Sequence, residues 1–575
     1  MVADILRDSF IGQFINSASK GKYLPYADQR QSYVVAPRHL PSNANSRTRI
    51  SAFSSRTPTL CGDESKKSSP RPDLTRENTL VVDPEKASAK QEDSVSVDDD
   101  ESDPYLVDWD GDDDQDNPRN WSPKKRAFVA FLISFLTFSV YIGSAIYTPS
   151  IPGLMEDYNA SLTYATLGLT LYVIGYGVGP MFLTPFQDLA QYGRNAVYIP
   201  TLAIFLIFQI PIVTATNIRT VLAFRFLTGF FGSPALATGG ASMCDIYNKR
   251  QEPYVIGIWA LGAVAGPITG PVIGGFAAQA NGWRWPQYEL LWISGFSLLC
   301  LSFLLPETYG PTILLKRAQR LRKLTGNEQL RTQTEKDTEG ETVLQVLAEA
   351  LYRPIALALE PVLLFANIYI GFVYAIFYLW FESFPIVFTD IHHFNLGLSG
   401  LPFLGFVISG AITYTAYCFY LSYYIDPRSR AAEAAGGELQ PEIRLEIGLI
   451  ASIFIPISVL IFGFTAREDI HWIVPIIGAA LYLPGIYLNF QSVLTYITSA
   501  YPDHQAAVLA GNDLARSVIA SVFPLFGHAY FTNLGLGPAS AILAGISVAL
   551  WIVFAALRKW GHVLRRRSKY AATTV

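Results

Sequence analysis

Cysteine is scarce in this chain, at 4 of 575 residues, and charged side chains make up only 16%. Cys61 lies in a polar, serine-rich stretch, while Cys244, Cys300 and Cys418 fall in or beside apolar segments where small apolar packing is the expected use. Neither a structural disulfide nor a metal site is expected. No GxxxxGK[ST] string occurs, so the chain has no recognisable nucleotide motor and no cofactor is expected; any pumping must draw on an ion gradient. A cleavable signal peptide is not expected either, because the first long apolar run begins after residue 126.

What the chain has is apolar length. Half of its residues are hydrophobic, and they gather into segments of about 20 residues, the length a bilayer core demands. The segments fall near 127–149, 164–186, 196–216, 219–242, 254–279, 286–305, 361–383, 398–422, 445–465, 471–497, 506–530 and 539–558. This predicts an all-α membrane protein with twelve spans in two pseudo-symmetric six-helix halves, 127–305 and 361–558.

A net charge of −4 conceals an alternation. Lys124, Lys125 and Arg126 precede the first span; Lys249 and Arg250 follow the fourth; Lys316, Arg317, Arg320, Arg322 and Lys323 follow the sixth. Arg428 and Arg430 follow the eighth, and the tail 559–575 is basic. The positive-inside rule then places both termini and the central loop 306–360 in the cytosol, with the loops 150–163, 384–397 and 531–538 outside.

The chain ahead of the first span divides in two. In residues 1–40, Leu6, Phe10 and Phe14 stand at helical spacing, which predicts a short amphipathic helix. Residues 41–126 read as a largely disordered acidic and serine-rich linker. Its string DWDGDDDQDNPRNW fails as a calcium loop: starting at Asp110, the sixth and twelfth positions are Gln115 and Trp121, where glycine and glutamate are needed. A solvated acidic linker is the simpler reading.

The most informative run is LGAVAGPITGPVIGGF, 261–276. Gly262, Gly266, Gly270 and Gly274 form a small-residue stripe that admits another backbone, and Pro267 and Pro271 each remove a backbone donor. With Gly275 the run satisfies GxxxGPxxGPxxGG. This resembles the antiporter motif of the fungal twelve-span drug:proton antiporters of the major facilitator superfamily. RFLTGFFGSP in the fourth segment is similar to the family's RxxxG pattern, and VYIGSAIYTPSI, IGYGVGP, LPET and NDLARSVIASVFPLFG extend the likeness. One motif departs: where most members show GxxxDRxGRR, this chain has GPMFLTPFQDLAQYGRN, leaving Asp188, Gly193 and Arg194 as the cytosolic-gate candidates.

The resemblance implies a proton-coupling role for Arg225. A guanidinium inside a span costs about 3 kcal/mol on insertion scales, so it should face a cavity and have a partner. The alternative is a structural arginine bonded to helix carbonyls. Asp513 and Arg516 lie one helical turn apart and can pair. Glu382 sits beside an aromatic strip with Tyr374, Tyr378 and Phe381, whereas Glu289 and Glu360 lie nearer span ends. Tyr141, Tyr147, Tyr172, Tyr176, Trp259, Tyr369, Asn489 and Gln491 complete the cavity candidates, since aromatic faces accept flat apolar molecules and cations. Asn159 opens an NAS sequon close to the membrane, and His392 with His393 reads as an ordinary loop pair.

Together these readings predict a non-enzymatic plasma-membrane proton antiporter that expels varied amphipathic small molecules such as antifungal drugs. Its expected partners are drugs or metabolites, protons and the bilayer, with no nucleic acid and no obligate protein. A dedicated exporter of one endogenous metabolite or toxin, a nutrient symporter and a non-transporting receptor are the alternatives; the antiporter motif argues against the symporter.

Overall fold

The computed structural model describes residues 2–19, 21–30, 103, 105–340, 343–436, 439–566, 568 and 570. Among the described residues, twelve helices are long and apolar enough to cross a membrane. Spans 1–6 are Pro123–Tyr158, Leu162–Asp188, Asn195–Val213, Ile218–Ile246, Glu252–Asn281 and Trp285–Leu304. Spans 7–12 are Pro361–Ile391, Leu398–Ala434, Pro441–Thr465, Ile473–Ala500, Gln505–Leu534 and Leu536–Arg565. Several run past the apolar segments that announce them. Span 7 continues through the largely apolar Pro385–Ile391, and span 8 through the polar Asp426–Ala434, where helical hydrogen bonding persists past the apolar run. The stretch expected as the first loop is helical over Ile151–Tyr158 and ends on Asn159, whose φ of 48° suits an asparagine cap.

Small residues set the packing. Span 2 lies on span 4, and a Cβ on Gly175 or Gly229 would strike the facing backbone. The glycine stripe of span 5 does the same against span 1. A Cβ on Gly266 would lie 2.9 Å from the Ile142 nitrogen, one on Gly270 2.6 Å from the Ile146 nitrogen, and one on Gly274 2.8 Å from the Ile146 carbonyl oxygen. The other side of the same helix meets the second half: Pro271 packs against Gly400 and Gly275 against Leu396. Span 5 remains helical through Pro267 and Pro271. The halves therefore join along two seams, spans 2 and 11 on one side and spans 5 and 8 on the other.

The face carrying the loop after span 6, here the terminal face, is built over by soluble helices. Two helices, Val2–Asp8 and Phe10–Ala18, stand where the sequence suggests one. Ser9 breaks them by capping the second, its Oγ accepting from the Gly12 nitrogen, and it pairs through its backbone with Pro306. The break changes which face is covered: Ile5, Ser9, Gly12 and Asn16 are buried, while Phe10 and Phe14 point outward. The acidic string is also held. Arg317, on the helix Gly310–Thr325, binds Asp110 at 2.5 Å and Asp114 at 2.6 Å. Nearly all of 41–104, including Cys61, lies outside the described residues.

Candidate functional site

Four tyrosines meet across the halves. Span 1 contributes Tyr141, span 2 Tyr176, and span 7 both Tyr374 and Tyr378, which lie one above the other at a four-residue interval. The Tyr176 hydroxyl is 3.2 Å from that of Tyr374 and 3.0 Å from that of Tyr378, and Tyr374 donates to Tyr141 at 3.4 Å. Tyr141 and Tyr176 meet edge to face at 5.7 Å between ring centroids, as do Tyr374 and Tyr378 at 5.2 Å. Phe381 extends the aromatic surface from Tyr378 towards Phe403.

Arg516 of span 11 closes one side of this cluster. Its guanidinium carbon stands 4.9 Å from the Tyr374 ring and 4.9 Å from that of Phe490 in span 10, and it forms an ion pair with Asp513. The second carboxylate oxygen of Asp513 is buried with no hydrogen-bond partner among the described residues. Such a pair is costly to break by deleting one member, since the other charge is then left in a poorly solvating interior. One turn beyond Tyr378, Glu382 is 7% exposed and makes no hydrogen bond or ion pair among the described residues. Gly527 of span 11 leaves room for it, a Cβ there lying 3.1 Å from the Glu382 Cγ.

Arg225 is elsewhere. It is fully buried between the rings of Tyr147 and Tyr172, at 4.5 and 4.3 Å. It donates to the carbonyls of Gly168 at 3.1 Å, Gly143 at 2.7 Å and Ser144 at 3.3 Å. Its partners are carbonyls and ring faces, so within this structure it fastens spans 1, 2 and 4 together.

Other candidates also turn to packing. Tyr369 shares a 2.6 Å hydrogen bond with Ser452 and stacks on Phe554, and Asn489 accepts from the same Ser452 at 3.0 Å, so both belong to the interior of the second half. Trp259 donates to Thr137 at 2.9 Å inside the first half. Gln491 is buried beside Tyr487.

At the terminal face Arg194 binds Asp188 at 2.8 Å and Asp245 at 3.1 Å and lies over Tyr309. Burial opposes its charge, but Asp245 and Asp188 outweigh that and hold its pKa above the ordinary arginine value. Gly193, at φ 75°, turns the backbone so that the Arg194 and Asn195 nitrogens donate to Glu307 at 3.0 and 3.2 Å. Glu307 also accepts from the Thr308 and Tyr309 nitrogens. Asp245 and Glu307 escape a reading of motif spacing alone, although LPET contains the second of them. The second half has a counterpart with its charges exchanged: Arg565, ending span 12, binds Glu442, opening span 9, at 2.8 and 3.0 Å.

A sequence model of the Major Facilitator Superfamily matches residues 133–524. The "Transporter mfs1" of Schizosaccharomyces pombe is 43% identical over 81% of this chain and 88% of its own. The "Cycloheximide resistance protein" of Candida maltosa is 38% identical over 99% and 100%, and the "Fluconazole resistance protein 1" of Saccharomyces cerevisiae 37% identical over 84% and 88%. Among solved structures, the xylose transporter XylE from E. coli superimposes with a TM-score of 0.51 at 14% identity, covering 75% of this chain and 99% of that one. The human organic anion transporter MFSD10 gives 0.52 at 15%, covering 76% and 100%.

Proposed function

Because the chain belongs to the major facilitator superfamily of membrane transporters, with relatives among fungal multidrug transporters, we propose that it expels varied amphipathic small molecules, antifungal drugs among them, in exchange for protons. The membrane is the plasma membrane, and the terminal face is cytosolic, as the basic loops favour. One observation carries the reading: an aromatic, hydroxyl-lined surface shared by both halves lies against a buried carboxylate–guanidinium pair.

Proton and cargo compete there. With Asp513 ionised the pair is neutral, and an apolar molecule can lie against the neighbouring rings without meeting a net charge. When Asp513 takes a proton from outside, the site is left with the uncompensated charge of Arg516, which the rings beside it and water must solvate, and that drives apolar cargo out. Return of the empty, protonated carrier delivers that proton to the cytosol. The two halves rock about their seams, and the cycle runs on the proton gradient.

Purified protein in liposomes, preloaded with cycloheximide under an imposed pH gradient, tests this. Native protein should exchange cargo faster with the gradient than without it. Asp513→Asn should remove at least about tenfold of that acceleration, the loss expected of one coupling interaction of about 1.4 kcal/mol. Equal rates with and without a gradient in the native protein would sink the proposal.

A further inference from the structure

The amino-terminal helix Phe10–Ala18 docks with its sides reversed. It carries no charged residue, and its two amide side chains are turned to the protein. Asn16 is buried and donates to the Leu24 carbonyl at 2.8 Å and to Gln29 at 2.9 Å. Gln13 accepts from Lys316 at 2.6 Å and donates to the Asp8 carbonyl at 2.8 Å. Phe10, Phe14 and Ile15 are left outside, Phe14 being 71% exposed. At about 100° of turn per residue, Phe10, Phe14, Ala18, Ile11 and Ile15 follow one another around one side of the helix, and Gly12, Asn16 and Gln13 occupy the other. A surface helix surrounded by water has the opposite arrangement, with its apolar side on the protein.

The place of the helix accounts for the reversal. Its cap, Ser9, pairs with Pro306, and the Glu307 nitrogen donates to the Asp8 carbonyl at 3.2 Å, just past the end of span 6 at Leu304. The helix itself packs on spans 6 and 3. Span 6 brings an outward apolar strip to this point, since Phe296, Leu299 and Phe303 share one helix face and are all exposed, as side chains of a spanning helix are where they meet lipid. The outward side of Phe10–Ala18 continues that strip at the level where the span ends. Beyond the helix, Lys22 and Tyr23 are exposed with the Lys22 nitrogen 5.8 Å from the Tyr23 ring, and both residue types settle at membrane–water boundaries.

We propose that Phe10–Ala18 is an interfacial anchor, which lies along the leaflet beside the terminal face with Phe10, Phe14 and Ile15 among the lipid chains and Gln13 and Asn16 on the transporter. Its partner is the bilayer, because the apolar side is continuous with the lipid-facing strip of span 6 and bears no charge with which to select a protein. Lysines on the polar side, usual in helices that lie on membranes, are dispensable here because protein meets that side instead of water. The anchor is independent of the direction and the coupling of transport. In full-length protein with Cys61, Cys244, Cys300 and Cys418 replaced by alanine, a single cysteine is introduced by Phe14→Cys, by Ala18→Cys, or by Asp113→Cys in the acidic string as a water-exposed reference. All three residues are exposed, so the replacements leave the docking contacts in place. Each protein is labelled with the fluorophore NBD and placed in phosphatidylcholine nanodiscs. At 14 and 18 a nitroxide on the lipid chains should cut the emission at least about twofold, as a depth of about 5–10 Å in the leaflet implies, and iodide in the water should do little. The label at 113 should respond to iodide and not to the nitroxide lipid. Iodide quenching at 14 or 18 equal to that at 113 overturns the assignment. So does a label shielded from both quenchers, which would mean that another protein surface covers this side.

Discussion

Arg225 and Arg516 are two buried guanidiniums put to different uses. Arg225 makes three bonds to carbonyls, each worth about 1.5–3 kcal/mol because the donor is charged. Arg225→Ala removes these and opens a void between Tyr147 and Tyr172, so the thermal midpoint of detergent-purified protein should fall by about 5 °C or more. Arg225→Lys keeps the charge without the planar fork and should fall by roughly half as much. A full loss of proton-driven exchange with an unchanged midpoint would show that Arg225 works in coupling instead of fastening. Sequence exposed both arginines but not this division, since carbonyl partners leave no signature in side-chain spacing. The aromatic candidates sort by helical phase. Tyr374 and Tyr378 are about 40° apart around span 7 and both reach the cluster, whereas Tyr369, about 140° from Tyr374, turns to Ser452.

Among the elements, span 5 is the one whose sequence said most. Gly266, Gly270 and Gly274 of its stripe lie against the backbone of span 1 in the same half, a Cβ on Gly262 would make only ordinary contact with Ser134, and Pro271 and Gly275 face the other half. Gly270→Leu would drive a side chain into the Ile146 nitrogen and the Ala145 carbonyl carbon. The protein should still reach the membrane, with cycloheximide export from intact cells reduced at least about tenfold, because a clash of about 1–3 kcal/mol shifts span 5, whose other side meets the second half. The amino-terminal helices and the acidic string were less legible, because apolar periodicity does not report a docking made by Ser9, Asn16 and ion pairs. For Asp114, burial raises the pKa, but the Arg317 hydrogen bond and backbone donors outweigh it and leave it lowered. A lowered carboxylate stabilises the docked form above its unfolded pKa of about 4 and loses that contribution as pH falls through the folded value. Arg317→Ala at neutral pH should therefore free the segment, read as increased quenching of Trp109 and Trp121 by iodide. Unchanged quenching would contradict the docking.

At the scale of the whole molecule, the twelve spans were legible because bilayer thickness fixes the length of an apolar run. The contact between halves was not, since it depends on which of many small residues face each other. At the seam of spans 2 and 11, a Cβ on Gly177 would meet the Cβ of Ser517, and Thr170 donates to the Ser521 carbonyl at 2.8 Å. Gly177→Ala, whose Cβ has no room beside Ser517, should prop this seam and slow gradient-driven exchange in liposomes, and adding Ser517→Gly should restore it. Undiminished exchange in Gly177→Ala would mean that this seam is not closed during the cycle.

The ties of Glu307 to the start of span 3 and of Arg565 to Glu442 each lie wholly inside one half. Each six-helix unit thus behaves as a stiff panel with its own rivet, and what is left to flex is the pair of edges where the panels touch. Changes that retune the speed of turnover, as opposed to survival of the fold, should accordingly accumulate along those edges, leaving the rivets alone.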